Sequence, residues 1–262
     1  MSDSVLIDRA DGVSTITLNR PATMNSLTIE MKESLIAALA EVRDDTATRA
    51  VVLTGAGRGF CVGQDLREHA ELLATGDPRP LQTVRDHYNP ITLGLMEMPK
   101  PVLAAVNGMA AGAGASFAFA CDFRIAGEAA GFLLAFARVG LSADSGASWT
   151  LPRLVGHARA TAMMMLAEPV SAAQAMEMGL VTAVVPDDRV LAATHELAVR
   201  LAAGPTLAYA CIKESLAYGG SAGLADALER EAVLQAKAGL SEDHRNATAA
   251  FVAKAPMTFE GR

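Results

Sequence analysis

The sequence predicts an α/β fold that opens with an antiparallel hairpin. Three observations carry this. Short apolar runs alternate with helical patterns along the chain; Asp11-Gly12 separates the two alternating runs Val5–Asp8 and Val13–Leu18; and the composition favours close helix packing. Half of the 262 residues are hydrophobic, whereas aromatics make up only 5%, which suits a helix-rich α/β core better than a β-sandwich.

The elements follow in order. Asp-Gly between alternating runs is a tight hairpin signal. Asn19 to Ser26 is turn-rich, and Thr28 is placed to cap a helix to about Val42, with Ile29, Leu35, Ile36 and Leu39 on one face. Residues 50–54 read as a buried strand, and Asp65 to Ala74 as a helix. Thr75 to Pro80 is polar and punctuated, and is expected to be a mobile loop near a site entrance. A helix is expected from about Leu81 to Met98, stopped by Pro99 and Pro101, then a strand over 102–106 and a helix over 112–121. Asp122–Ala126 and Gly131–Ala135 read as short strands. Ser171 to Gly179 reads as a capped helix ahead of a strand at Val181–Val185. From Arg189 the pattern is helical, broken at Gly204-Pro205 and Gly219-Gly220.

Two stretches of small residues are the strongest functional signal. Phe60-Cys61-Val62-Gly63-Gln64-Asp65-Leu66 follows the first buried strand, and Asn107 to Ser116 follows the second. Glycine and alanine there allow close backbone approach to a ligand, with amide N–H groups facing it. Brought together, the two turns would form a two-donor site for an oxyanion.

Charge and cysteine content exclude other classes. A net charge of −7 opposes a nucleic-acid surface. Cys61, Cys121 and Cys211 are too widely spaced for a metal motif or disulfide framework, and Cys61 reads as a small buried thiol rather than a nucleophile. Neither a membrane span nor a targeting segment is evident, so a cytoplasmic enzyme without a metal is expected.

Leu18-Asn19-Arg20-Pro21 with Met24-Asn25, Gly55–Leu66, Pro99–Ser116, Cys121-Asp122, Val139-Gly140-Leu141, Gly179-Leu180-Val181 and the tail from Phe251, taken together and in this order, resemble the enoyl-CoA hydratase/isomerase (crotonase) superfamily. Within it, Tyr88-Asn89-Pro90, Gly112 to Ala115 and Asp144-Ser145-Gly146 resemble 1,2-epoxyphenylacetyl-CoA isomerase-type members. The resemblance implies a spiral of ββα units over residues 1–200 and a C-terminal helical trimerisation region over 201–262, in a homotrimer or hexamer. It implies an acyl-CoA thioester substrate, with coenzyme A part of the substrate and no separate cofactor.

It further implies that the main-chain N–H groups of Gln64 and Ala113 form the oxyanion hole, and that Gly63, Asp65, Gly112, Gly114 and Tyr88 lie around the substrate. The two glutamates used by the family's hydratases fall here on Ser116 and Phe136, which supply no carboxylate. Asp144 is the carboxylate left to move a proton, with a helix N-cap as its alternative role. His87 is a weaker candidate for touching substrate. Arg20, Arg67, Phe251 and Lys254 are the expected coenzyme A contacts. An isomerase is therefore expected, with a single-carboxylate hydratase or a silent acyl-CoA-binding homologue as alternatives.

Overall fold

The computed structural model describes residues 3–76 and 79–262. Its strands are β1 (Val5–Ala10), β2 (Val13–Leu18), β3 (Ala50–Gly55), β4 (Gly59–Cys61), β5 (Val102–Val106), β6 (Met109–Ala111), β7 (Phe123–Gly127), β8 (Gly131–Leu133), β9 (Val170–Ser171) and β10 (Ala183–Val185). Its first eight helices are α1 (Ile29–Asp44), α2 (Leu66–Ala74), α3 (Arg79–Thr83), α4 (Asn89–Met96), α5 (Ala113–Ala120), α6 (Ala147–Val155), α7 (His157–Leu166) and α8 (Ala172–Glu177). Four more follow: α9 (Val190–Ala202), α10 (Thr206–Gly219), α11 (Leu224–Gly239) and α12 (Glu242–Ala253).

The strands form two sheets. The larger runs β1-β2-β3-β5-β7-β10, with only the β1–β2 hairpin antiparallel; the smaller runs β4-β6-β8-β9, with β8–β9 antiparallel. After the hairpin, the chain lays one strand in the larger sheet and the next in the smaller, then enters a helix. β3-β4-α2 and β5-β6-α5 are two such units.

The hairpin forms as expected, because Asp11 and Gly12 both take positive φ (53° and 75°), which matches the twist of the strands. β3 is buried along its whole length, and its alternation feeds two cores. Val51 and Leu53 join the main core, whereas Ala50 and Val52 pack under α9 with Val13, Leu103, Ala105, Val190, Ala198 and Ala202. Thr28 caps α1 by accepting from the Met31 N–H, and Ser171 and Gln174 form a capping box on α8.

Three expectations are corrected. Two strands of the small sheet, β4 and β6, are missed by sequence because each is three residues long and sits inside a stretch read as a turn, whereas β8 falls within the strand expected at Gly131–Ala135. The helix expected from Leu81 to Met98 is instead α3, a π-helical turn at Val84–Tyr88, and α4. Pro90 has no N–H for the next rung, so the ladder widens there, with the Asn89 N–H bonding to Val84. Of the loop expected at Thr75–Pro80, Arg79 and Pro80 already belong to α3, and Asp77 and Pro78 lie outside the described residues.

Beyond Gly204-Pro205 the chain leaves the spiral. Helices α10 to α12 expose Ile212, Leu216, Leu224, Leu228, Val233, Phe251 and Val252. Among the described residues, no helix is long and apolar enough to cross a membrane.

Candidate active site

The first glycine-rich turn is fixed from below by Asn25. This fully buried side chain sits at φ 59°, and its Nδ2 donates to the carbonyls of Ala56 (3.0 Å), Gly59 (2.8 Å) and Phe60 (3.1 Å). Its Oδ1 accepts from the Arg20 main-chain N–H at 2.8 Å. Asp65 closes the turn. It caps α2 by accepting from the N–H groups of Arg67 and Glu68, pairs with Arg20 at 3.0 Å and accepts from the Ser26 hydroxyl at 2.9 Å. Burial opposes ionisation of Asp65, but the Ser26, Arg20 and Glu68 N–H hydrogen bonds outweigh it and hold the carboxyl below its usual value.

The second turn is laid against the first by strand pairing. β4 and β6 run parallel, with Gly59 opposite Met109 and Cys61 opposite Ala110. Two glycines permit the contact. A Cβ on Gly114 would lie 2.2 Å from the Cys61 carbonyl oxygen; one on Gly63 (φ 82°) would lie 2.9 Å from the Ala111 oxygen and 3.3 Å from the Ala113 nitrogen.

The two candidate donors are thus close neighbours. Leu27 bridges the first turn by donating to the Gly63 carbonyl (2.8 Å) and accepting from the Asp65 N–H (3.1 Å), so the Gln64 N–H faces away from it. Ala113 is the first residue of α5, where an N–H has no intrahelical acceptor and the helix dipole favours negative charge.

Around this pair lies a polar cluster. The Gln64 Oε1 accepts from the Tyr88 hydroxyl and from Lys32 Nζ (3.2 Å); Lys32 also donates to Thr83 Oγ1 (2.7 Å), and Thr83 bonds His87 Nδ1 (3.1 Å). Burial, with the charges of Asp144, Cys61 and Glu68, pushes the Tyr88 phenol up, so it is a neutral donor. Asp144 lies on the approach to α6, half-buried, and accepts from the Ser145 hydroxyl at 2.8 Å. Burial raises its pKa above the usual 3.8, although Ser145 and the Lys32 charge pull the other way. The capping alternative for Asp144 fails: the N-cap of α6 is Gly146, without a side-chain hydrogen bond.

A carbonyl seated between two such amides, with a desolvated carboxylate nearby, is equipped for proton transfer beside a thioester. The family model for enoyl-CoA hydratase/isomerase matches residues 8–262. The chain belongs to the enoyl-CoA hydratase/isomerase family. It is 44% identical over 97% of its length, and 96% of the other chain, to a Rhodobacter capsulatus protein named "Probable enoyl-CoA hydratase". It is 41% identical, over the full length of both, to 1,2-epoxyphenylacetyl-CoA isomerase of Escherichia coli. A crystal structure described as a "putative Enoyl-CoA hydratase/isomerase from Mycobacterium abscessus" superposes with a TM-score of 0.94 at 44% identity, covering 98% of this chain and 100% of that one.

Against this family frame, the remaining sequence candidates fall in different places. Ser116 is buried on α5 and donates to the Gly112 carbonyl at 3.1 Å, and Phe136 is buried in a 3-10 turn. Gly112 itself takes φ 52° ahead of Ala113, and its N–H donates to Leu133. Arg20 is engaged by Asp65 and Ser26, whereas Arg67, Phe251 and Lys254 are exposed. Cys61 is buried, and its thiol is pushed up to about 12 by burial, so it is no nucleophile.

Lys32 is the residue that sequence reasoning missed. Its signal was present: it is three residues after Ile29 and four before Ile36, on the apolar face of α1.

Proposed function

We propose that this family member is a coenzyme A-thioester isomerase that moves a proton along the acyl chain with Asp144. The Gln64 and Ala113 amides hold the thioester oxygen. Asp144, as carboxylate, takes a proton from the carbon next to the thioester, and negative charge moves to that oxygen. The same carboxyl returns the proton further along the chain, and the double bond shifts. Atoms and charge balance without water or a separate cofactor. One backbone donor in such a site contributes about 3–4 kcal/mol to the barrier reduction.

One observation carries the isomerase reading. The positions matching the hydratase glutamates are Ser116 and Phe136, while Asp144 is a half-buried carboxyl with a raised pKa beside the Lys32–Tyr88–Gln64 cluster. The 1,2-epoxyphenylacetyl-CoA isomerase relative supports this chemistry, including the rearrangement of a ring epoxide. The Rhodobacter capsulatus relative favours a second reading, a hydratase with one carboxylate. Arg67, Phe251 and Lys254 are exposed where coenzyme A contacts are expected, and the apolar faces of α10 to α12 suit a homotrimer or hexamer.

Spectroscopic assay of 3-enoyl-CoA and 2-enoyl-CoA tests the reading. Conversion of the 3-enoyl thioester, with slow or no hydration of the 2-enoyl thioester, is expected. Asp144→Asn should lower isomerisation at least 100-fold with substrate affinity retained. Rapid hydration would favour the hydratase, and binding without any turnover a silent homologue.

A further inference from the structure

The Lys32 ammonium is an unusual group to find beneath this site. The side chain is wholly buried, where an apolar residue of the same size would avoid the desolvation of a charge. The surroundings compensate it. Thr83 Oγ1 and Gln64 Oε1 accept from it, and the face of the Tyr88 ring lies 5.3 Å from Nζ.

Two consequences follow from this arrangement. First, the Gln64 Oε1 receives two donors, one of them charged, so the side chain of the residue that carries the first oxyanion donor is clamped on the protein side. Second, Thr83 Oγ1, which accepts from Lys32, also bonds His87 Nδ1 at 3.1 Å, so the cation and the imidazole share one hydroxyl. The charge also bears on its neighbours: it favours the ionised form of Asp144 and disfavours that of His87, to whose lowered pKa burial contributes most.

We propose that Lys32 is a positioning residue of this site. Its buried ammonium, with the Tyr88 hydroxyl, clamps Gln64 so that the Gln64 main-chain N–H stays aimed at the thioester oxygen. The inference rests on the isomerase reading, which makes Asp144 the base and the Gln64 N–H a donor.

Several groups bear on a pH readout at Asp144. Ser145 donates from its own segment, Lys32 acts from α1, and Tyr88 is on the π-helical turn. Lys32 is itself faced by Glu33 on α1, Glu68 on α2 and His87 on the π-helical turn. Removing the cation removes an attraction that lowers the Asp144 pKa. The acidic limb of the rate profile should therefore move to higher pH.

The test uses the full-length protein with Lys32→Met and Gln64→Met, and two readouts. The first is turnover of 3-enoyl-CoA across pH. The second is the near-ultraviolet absorbance of bound acetoacetyl-CoA, a 1,3-dicarbonyl thioester whose enolate an oxyanion site stabilises. Lys32→Met should lower kcat by about 10- to 100-fold with KM within threefold, shift the acidic limb upward and reduce the bound enolate fraction. Gln64→Met keeps the cation. It should reduce the enolate fraction and leave the limb where it was.

Lys32→Met with kcat within twofold and an unmoved limb overturns the proposal. So does a loss of kcat that merely follows the melting temperature. If Lys32→Met does not fold, Gln64→Met decides, and a wild-type enolate fraction overturns the proposal. Wild-type protein that ionises acetoacetyl-CoA but does not isomerise 3-enoyl-CoA refutes the isomerase reading alone, and the enolate readout then judges Lys32. Wild-type protein that does neither overturns both.

Discussion

Gly63→Ala separates the two turns on which the oxyanion site depends. The position has φ 82°, where an L side chain costs roughly 1–2 kcal/mol. The new methyl would also sit 2.9 Å from the Ala111 oxygen and 3.3 Å from the Ala113 nitrogen, where ordinary contact begins at 3.4 Å. Relief requires the turns to part by roughly half an ångström, because both contacts are backbone atoms, one at the end of β6 and one at the start of α5.

Loss of one oxyanion donor costs about 3–4 kcal/mol of transition-state stabilisation, and partial misalignment should cost about 2–3. The expected result is a fall in kcat of about 30- to 160-fold with KM little changed. At about 2–4 °C per kcal/mol, the melting temperature should drop by about 2–8 °C. Gly179→Ala supplies the control: its φ is 76°, nothing lies within 4 Å of the added Cβ, and it follows α8. It should share the destabilisation and keep kcat. If Gly63→Ala retains kcat within threefold of wild type, the two amides do not act together and the catalytic argument fails.

Two more outcomes follow from the site. Because burial raises the Asp144 pKa, isomerase activity should fall, as pH drops, at a limb above the usual carboxylate range of about 4. The stability sign is opposite: between 3.8 and the raised value the native state holds more protons than the unfolded state, so this contribution is present at low pH and lost as pH rises through that window. Comparing denaturant midpoints of wild type and Asp144→Asn between pH 4 and 7 checks it, and the variant's profile should be flatter. Asn25→Ala should destabilise by about 2–4 kcal/mol in urea unfolding, since it takes the Nδ2 donor from the buried Gly59 and Phe60 carbonyls and the half-buried Ala56 carbonyl. An unchanged midpoint would show that the turn stands without Asn25.

Much of the molecule was legible in the linear order of residues. Asp11-Gly12 specified a hairpin because both residues tolerate positive φ, and Thr28, Asp65 and Ser171 marked helix starts through local hydrogen bonds. Gly63 and Gly114 announced close backbone approach, and Asp144 stood out once Ser116 and Phe136 replaced the expected glutamates.

What the sequence could not disclose was non-local. The small sheet arises because parallel pairing of three-residue strands is set by the larger sheet beside it, not by their own propensity. The π-helical turn replaced a regular helix where Pro90 withheld a donor, an outcome decided by what Tyr88 and Thr83 then reach. Lys32 is absent from the sequence reading. Its placement under Gln64 depends on α1, the first turn and the π-helical turn meeting in space, and only tertiary packing decides whether a charge is buried and which groups compensate it. The sequence supplied two candidate backbone donors and a candidate carboxylate. The approach of the two turns, and the cation beneath them, came from long-range contacts that no local pattern encodes.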